Sequence, residues 1–145
     1  MAVVSINTIR EAVITKLKAH FPSLPIYGDE LAQDFLKPSL FVKLFSVEQD
    51  QIMGNRYRRN HSFMIHYYSD SEIPHDDMHK MAEQLYSLLE FVSIQEDLFR
   101  GTKMKHEIKD GMLHFNVNYT MFLMKETEPV DEMVDLSING ASRGE

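Results

Sequence analysis

Met104-Lys105-His106-Glu107-Ile108-Lys109-Asp110-Gly111-Met112-Leu113-His114-Phe115-Asn116-Val117 is the stretch on which the fold turns. Asp-Gly between two alternating arms signals a two-residue hairpin, because a type I′ turn needs positive φ at both central positions. Closing the chain there pairs Ile108 with Leu113, His106 with Phe115 and Met104 with Val117, all on one face. Lys103, Lys105, Glu107, Asn116 and Asn118 fall on the other. Tyr119, Met121 and Leu123 continue the alternation, as in an antiparallel strand with one face buried.

Upstream, Pro74 opens an amphipathic helix with Asp76 and Asp77 near its positive end. Met78, Met81, Ala82, Leu85, Leu88, Leu89 and Val92 mark its apolar stripe. A first helix follows the N-cap Ser5, with Ile6, Ile9, Val13, Leu17 and Phe21 at helical spacing, and ends at Pro22. Pro25-Ile26-Tyr27-Gly28 reads as a short extended piece, and residues 29–37 as an irregular acidic connection. Pro38 suits the start of a strand. Leu40 to Val47 is apolar on both faces, the pattern of a central, covered strand.

Gly54-Asn55 offers a second two-residue turn. Counting outward pairs Ile52 with Tyr57, Asp50 with Arg59, Glu48 with His61 and Leu44 with Ile65. Arms of about a dozen residues span roughly 40 Å at ~3.3 Å per residue. A domain of this size has a radius near ~15 Å, so the polar distal part, Glu48 to Arg59, is expected to protrude. The expected fold is α+β: a mainly antiparallel sheet with two helices on one face, in the order α-β-β-β-α-β-β. Residues 1–125 form the domain, and residues 126–145 an acidic C-terminal arm or disordered tail.

Charge sharpens that division. The net −7 comes from 15 Lys and Arg against 22 Asp and Glu, and residues 126–145 hold six of the acids and one base, Arg143. The domain itself is nearly balanced. With no cysteine, disulfides, thiolate metal sites and thiol nucleophiles are excluded. No apolar run reaches the ~18–20 residues of a membrane span, and Met1–Val4 is too short for a signal-peptide core. A soluble, non-secreted chain without membrane contact is expected.

Catalytic patterns are missing. His75 and His79 share a helical face, but without the glutamate of a zinc-protease helix or a third ligand by spacing. In an exposed first turn they read as solvated, and a small metal enzyme built on them is the weaker hypothesis. His106, opposite Phe115, reads as a hydrogen-bonded core residue, and His114, opposite Glu107, as part of a surface pair. No serine lies in a nucleophile elbow, and no glycine spacing cradles phosphate. Neither cofactor nor metal is expected. The basic run Arg56-Tyr57-Arg58-Arg59 admits phosphate and base contacts, yet Asp50 stands ready to neutralise Arg59 and no basic stripe supports it. Arginine is also favoured at protein interfaces. Glu48, Asp50, Arg56, Tyr57, Arg58 and Arg59 are therefore the candidate oligomer-interface residues.

The run Tyr57-Arg58-Arg59-Asn60-His61-Ser62-Phe63-x-Ile65-His66-Tyr67 resembles the phage tail terminator family of Gram-positive prophages and phage-tail-like particles. So do His79-x-Met81-Ala82-Glu83-x-Leu85-Tyr86 and Met104-x-His106-Glu107-Ile108-x-Asp110-Gly111-x-Leu113-His114-Phe115, and the opening Ile9-x-x-Ala12 with Phe21-Pro22 and Ile26-Tyr27-Gly28. The resemblance implies a non-enzymatic virion protein, assembled in the host cytoplasm into a hexameric ring on the head-proximal end of the tail tube. There such proteins end tube polymerisation and present a joining surface. Implied partners are further copies, the tube protein, and sheath or neck proteins, with DNA only passing through the lumen. A neck or head-completion protein shares this size and symmetry and is the alternative.

Overall fold

The computed structural model describes residues 5–28 and 36–125. The expected connection over 29–37 lies largely, and the C-terminal arm wholly, outside the described residues. Two helices and a six-stranded, mostly antiparallel sheet make an α+β fold: α1 (Ile6–His20), β1 (Ile26–Tyr27), β2 (Ser39–Met53), β3 (Arg56–Tyr68), α2 (Pro74–Leu88), β4 (Phe91–Ile94), β5 (Asp97–Lys109) and β6 (Met112–Met124). The strand order is β1-β2-β3-β6-β5-β4. The described residues divide into two compact units, one holding those up to Val47 and His61–Thr120, the other Glu48–Asn60 with residues 121–125.

In the first unit α1 begins as expected: the Ser5 hydroxyl accepts the Thr8 backbone N–H at 3.1 Å. Its stripe Ile9, Val13 and Leu17 is fully buried, as are Ala82 and Leu85 of α2. The sheet buries one parity of each inner strand: Phe63, Ile65 and Tyr67 on β3, and Leu113, Phe115, Val117 and Tyr119 on β6. His61 joins this core with its Nδ1 3.1 Å from the Tyr119 carbonyl. A carbonyl only accepts, so Nδ1 carries the hydrogen.

The Asp110-Gly111 turn forms as the sequence predicts, with φ of 55° and 75°, the double positive φ of a type I′ hairpin. Ile108 pairs with Leu113 and His106 with Phe115. Met104 does not pair with Val117: the register shifts between Thr102 and Lys105, with Lys103 at φ 52°. Two residues oppose one, a β-bulge. The shift brings Gly101, not Thr102, opposite Tyr119.

Two further expectations change. The order gains a strand, β4, from residues assigned to the α2 stripe and the link after it: Val92 and Ile94 are buried by alternation, not by helical spacing. The strand β2 is not covered on both faces. Leu40 and Val42 are fully buried, but Phe45 is 50% exposed, and among the described residues only the two-residue β1 lies outside β2.

Gly101 has no room for a side chain. An added Cβ would stand 2.5 Å from the Leu89 carbonyl oxygen, 2.7 Å from Met104 Cε and 2.9 Å from Val117 Cγ2. The methionine end can move; the backbone oxygen cannot. Gly101→Ala is expected to destabilise the protein by about 1–3 kcal/mol, the usual cost of overpacking a close site. Urea denaturation measures it, and an unchanged midpoint would contradict the tight approach.

Candidate assembly surface

The six interface candidates occupy the second unit, on the facing arms of β2 and β3. Gly54-Asn55 is the turn, with Gly54 at φ 58°. That places glycine at the first central position, where a type II′ hairpin needs it. The Gln51 side-chain amide donates to the Gly54 carbonyl at 2.6 Å. Lys125, just past β6, donates its N–H to the Asn55 carbonyl at 2.8 Å and accepts from Asn55 Nδ2 at 2.9 Å. Its ammonium lies 4.6 Å from the centre of the Tyr57 ring, a cation–π contact.

The side-chain pairs along the arm differ from those expected. Asp50 meets Arg58, at 3.4 Å, and not Arg59. Arg59 Nε donates to the Gln49 side-chain carbonyl at 2.9 Å instead. Both members of the Asp50–Arg58 pair are more than half exposed, so it adds little to stability. Glu48 and Arg56 are exposed, and Tyr57 and Arg59 half-buried. The structure thus keeps all six residues on one hairpin and leaves most of their charge in water.

Sequence reasoning missed the apolar side chains of the same unit. Ile52 is 50% exposed, and Met53, Phe122 and Met124 about 70%. The arm is therefore not polar on both faces. The signal was present: Met121-Phe122-Leu123-Met124 is apolar at both parities, so half of it must face outward. Exposed Phe and Met beside Arg is the composition of a protein interface.

Four histidines of the first unit form two clusters. His79 Nδ1 lies 3.1 Å from His106 Nε2, and the Tyr86 hydroxyl 2.9 Å from His106 Nδ1. His79 therefore turns towards β5, not towards a site shared with His75. Among the described residues no three metal-ligating side chains converge. In the second cluster the His66 and His114 rings meet edge to face, centroids 4.6 Å apart. Burial pushes the His66 imidazole below its ordinary value, helped by the neighbouring His114 and Lys43.

A family model described as phage tail terminator protein matches residues 8–131, most of the chain. The chain belongs to the phage tail terminator family. This membership gives it a structural role in a virion tail, and points away from an enzyme. Comparison with curated proteins finds no match. A solved structure carrying no functional description is similar at 14% identity, covering 88% of this chain and 100% of its own, with a TM-score of 0.49. That distance carries no argument. No helix among the described residues is long and apolar enough to cross a membrane.

For this tail terminator chain the His66 environment fixes the sign of a pH effect. The unfolded chain takes up a proton near the ordinary value of 6.5, whereas the folded chain resists it until lower pH. Stability is full above 6.5 and falls as pH drops towards the depressed folded value, where the loss levels off. His66→Gln is expected to lessen the decline in melting temperature between about pH 7.5 and about pH 5.5. Parallel curves for the two proteins would contradict the assignment.

Proposed function

We propose that the chain is the subunit of a ring, six-fold as the family resemblance implies, that caps the head-proximal end of a phage tail tube. It ends tube polymerisation and offers the surface to which head and neck proteins join. The observation that carries this reading is the family match over residues 8–131. The exposed arm supports it: Arg56 and Arg58 stand with Ile52, Met53, Phe122 and Met124 in one compact unit, charged and apolar side chains together in water. Such a surface suits a neighbouring subunit or the tube rim better than solvent. Residues 1–125 act as the assembling body in this reading. The acidic segment 126–145, with six acids against one base, is free in charge terms to meet a basic neighbour.

Two measurements test the proposal. Tails assembled without the protein are expected to carry tubes of uncontrolled length, and cryo-electron microscopy of complete tails is expected to place its density against the last tube ring. Density at the portal instead would make it a neck protein. Arg58→Glu combined with Arg59→Glu is expected to leave the circular dichroism spectrum and melting temperature of the monomer unchanged while abolishing rings. Normal rings in electron micrographs of the variant would remove the arginines from the interface.

A further inference from the structure

We propose that successive copies of the chain join edge to edge, with Val42–Ser46 of β2 in one copy pairing antiparallel with Met104–Ile108 of β5 in the next. This rests on the ring reading above and names the contact that builds the ring.

Both edges of the sheet are short. The edge strand β1 covers β2 only at Leu40 and Phe41, and β4 covers β5 only from Asp97 to Arg100. Among the described residues no strand pairs with the outer side of β2 from Val42 onward, or of β5 from Gly101 onward. Each stretch leaves a row of ladder groups without a strand partner among the described residues, a template for another chain. The two stretches differ and lie at opposite ends of the strand order, so the contact between them is heterologous. Repeated, it closes a ring or runs on as a filament; it does not make a two-fold dimer.

Strand directions agree. The tight hairpins make β2 antiparallel to β3 and β5 antiparallel to β6. Contacts of His61 with Tyr119 and of His66 with His114 run in opposite senses along β3 and β6, so that pair is antiparallel as well. Hence β2 and β5 point opposite ways. Rotation about an axis along the strands preserves direction, and the neighbour's β5 arrives antiparallel to β2, ready to extend the ladder.

Side chains select one register. Lys43 opposite Glu107 places opposite charges on the face turned from the core. It also aligns Val42 with Ile108, Leu44 with His106 and Ser46 with Met104 on the core side, where Leu44, Met104 and Ile108 are only half-buried within one chain. A one-residue slip would turn every apolar side chain to the wrong face. A two-residue slip would set Lys43 against Lys105 or Lys109, like charges directly opposed. The ladder is bounded at one end by β1 and at the other by the bulge at Lys103–Met104.

The absence of cysteine makes the test clean. Phe45 and Lys105 are opposed in this register. The double variant Phe45→Cys with Lys105→Cys, assembled on tail tubes and mildly oxidised, is expected to give a ladder of disulfide-linked species on non-reducing gels. Each single variant is expected to give none, and a mixture of the two singles only dimers. As a measure independent of register, backbone amides of residues 42–46 and 104–108 in the unsubstituted protein are expected to exchange at least about tenfold more slowly in the assembly than in the monomer. Rings visible by electron microscopy with no linked ladder and no slowed exchange would overturn the edge contact and leave the ring reading standing. A chain that forms no ring even on tail tubes would overturn both.

Discussion

The first unit is organised around the demands of one buried phenol. Tyr119 is fully buried, and burial raises its hydroxyl well above the ordinary tyrosine value, so the group stays protonated and must donate. It donates to the Leu89 carbonyl at 2.6 Å, tying the middle of β6 to the residue that leaves α2. Its own carbonyl receives His61 from β3, and its ring meets Phe63 edge to face, centroids 5.8 Å apart. Across the ladder Tyr119 faces Gly101, where the Leu89 oxygen leaves no space for a Cβ. The bulge at Lys103–Met104 is what brings a glycine to that place. Phenol, carbonyl, glycine and bulge form one linked requirement, and changing any one disturbs the other three.

Much of this fold was legible because its signals are local. The Ser5 cap of α1, Pro74 at the start of α2, the stripes of both helices up to Leu89, the Asp110-Gly111 hairpin with its first pairs, and the Gly54-Asn55 turn each follow from a few neighbouring residues. What was not legible depended on partners distant in the chain. Nothing near Lys103 announces a bulge, since the need for it arises at Tyr119 and Leu89. The strand β4 was hidden because Val92, three residues past Leu89, fits the helical stripe as well as an alternating strand, and only its alternation with Ile94 separates the two. Apolar residues on both faces of β2 suggested a covered strand, whereas the described residues leave one of those faces open.

The candidate surface was half legible for a related reason. Its charged members stand out by type and cluster in sequence, so Glu48, Asp50, Arg56, Arg58 and Arg59 were found together. Which carboxylate meets which guanidinium depends on side-chain reach across the arm, and that is how Asp50 came to pair with Arg58. Phe122 and Met124 escaped notice because the alternation of Tyr119, Met121 and Leu123 was followed along one face only, while the apolar residues of the other parity were the outward ones.

The position of β6 in the sheet has a consequence for how the protein is made. Of the described strands it is the last to leave the ribosome, yet it lies between β3 and β5, not at an edge. Until it arrives, β3 has no neighbour on that side and the core lacks Leu113, Phe115, Val117 and Tyr119. Contacts that span so much of the chain form late and slowly. A chain cut short before β6 therefore lacks a completed sheet and the core that β6 supplies.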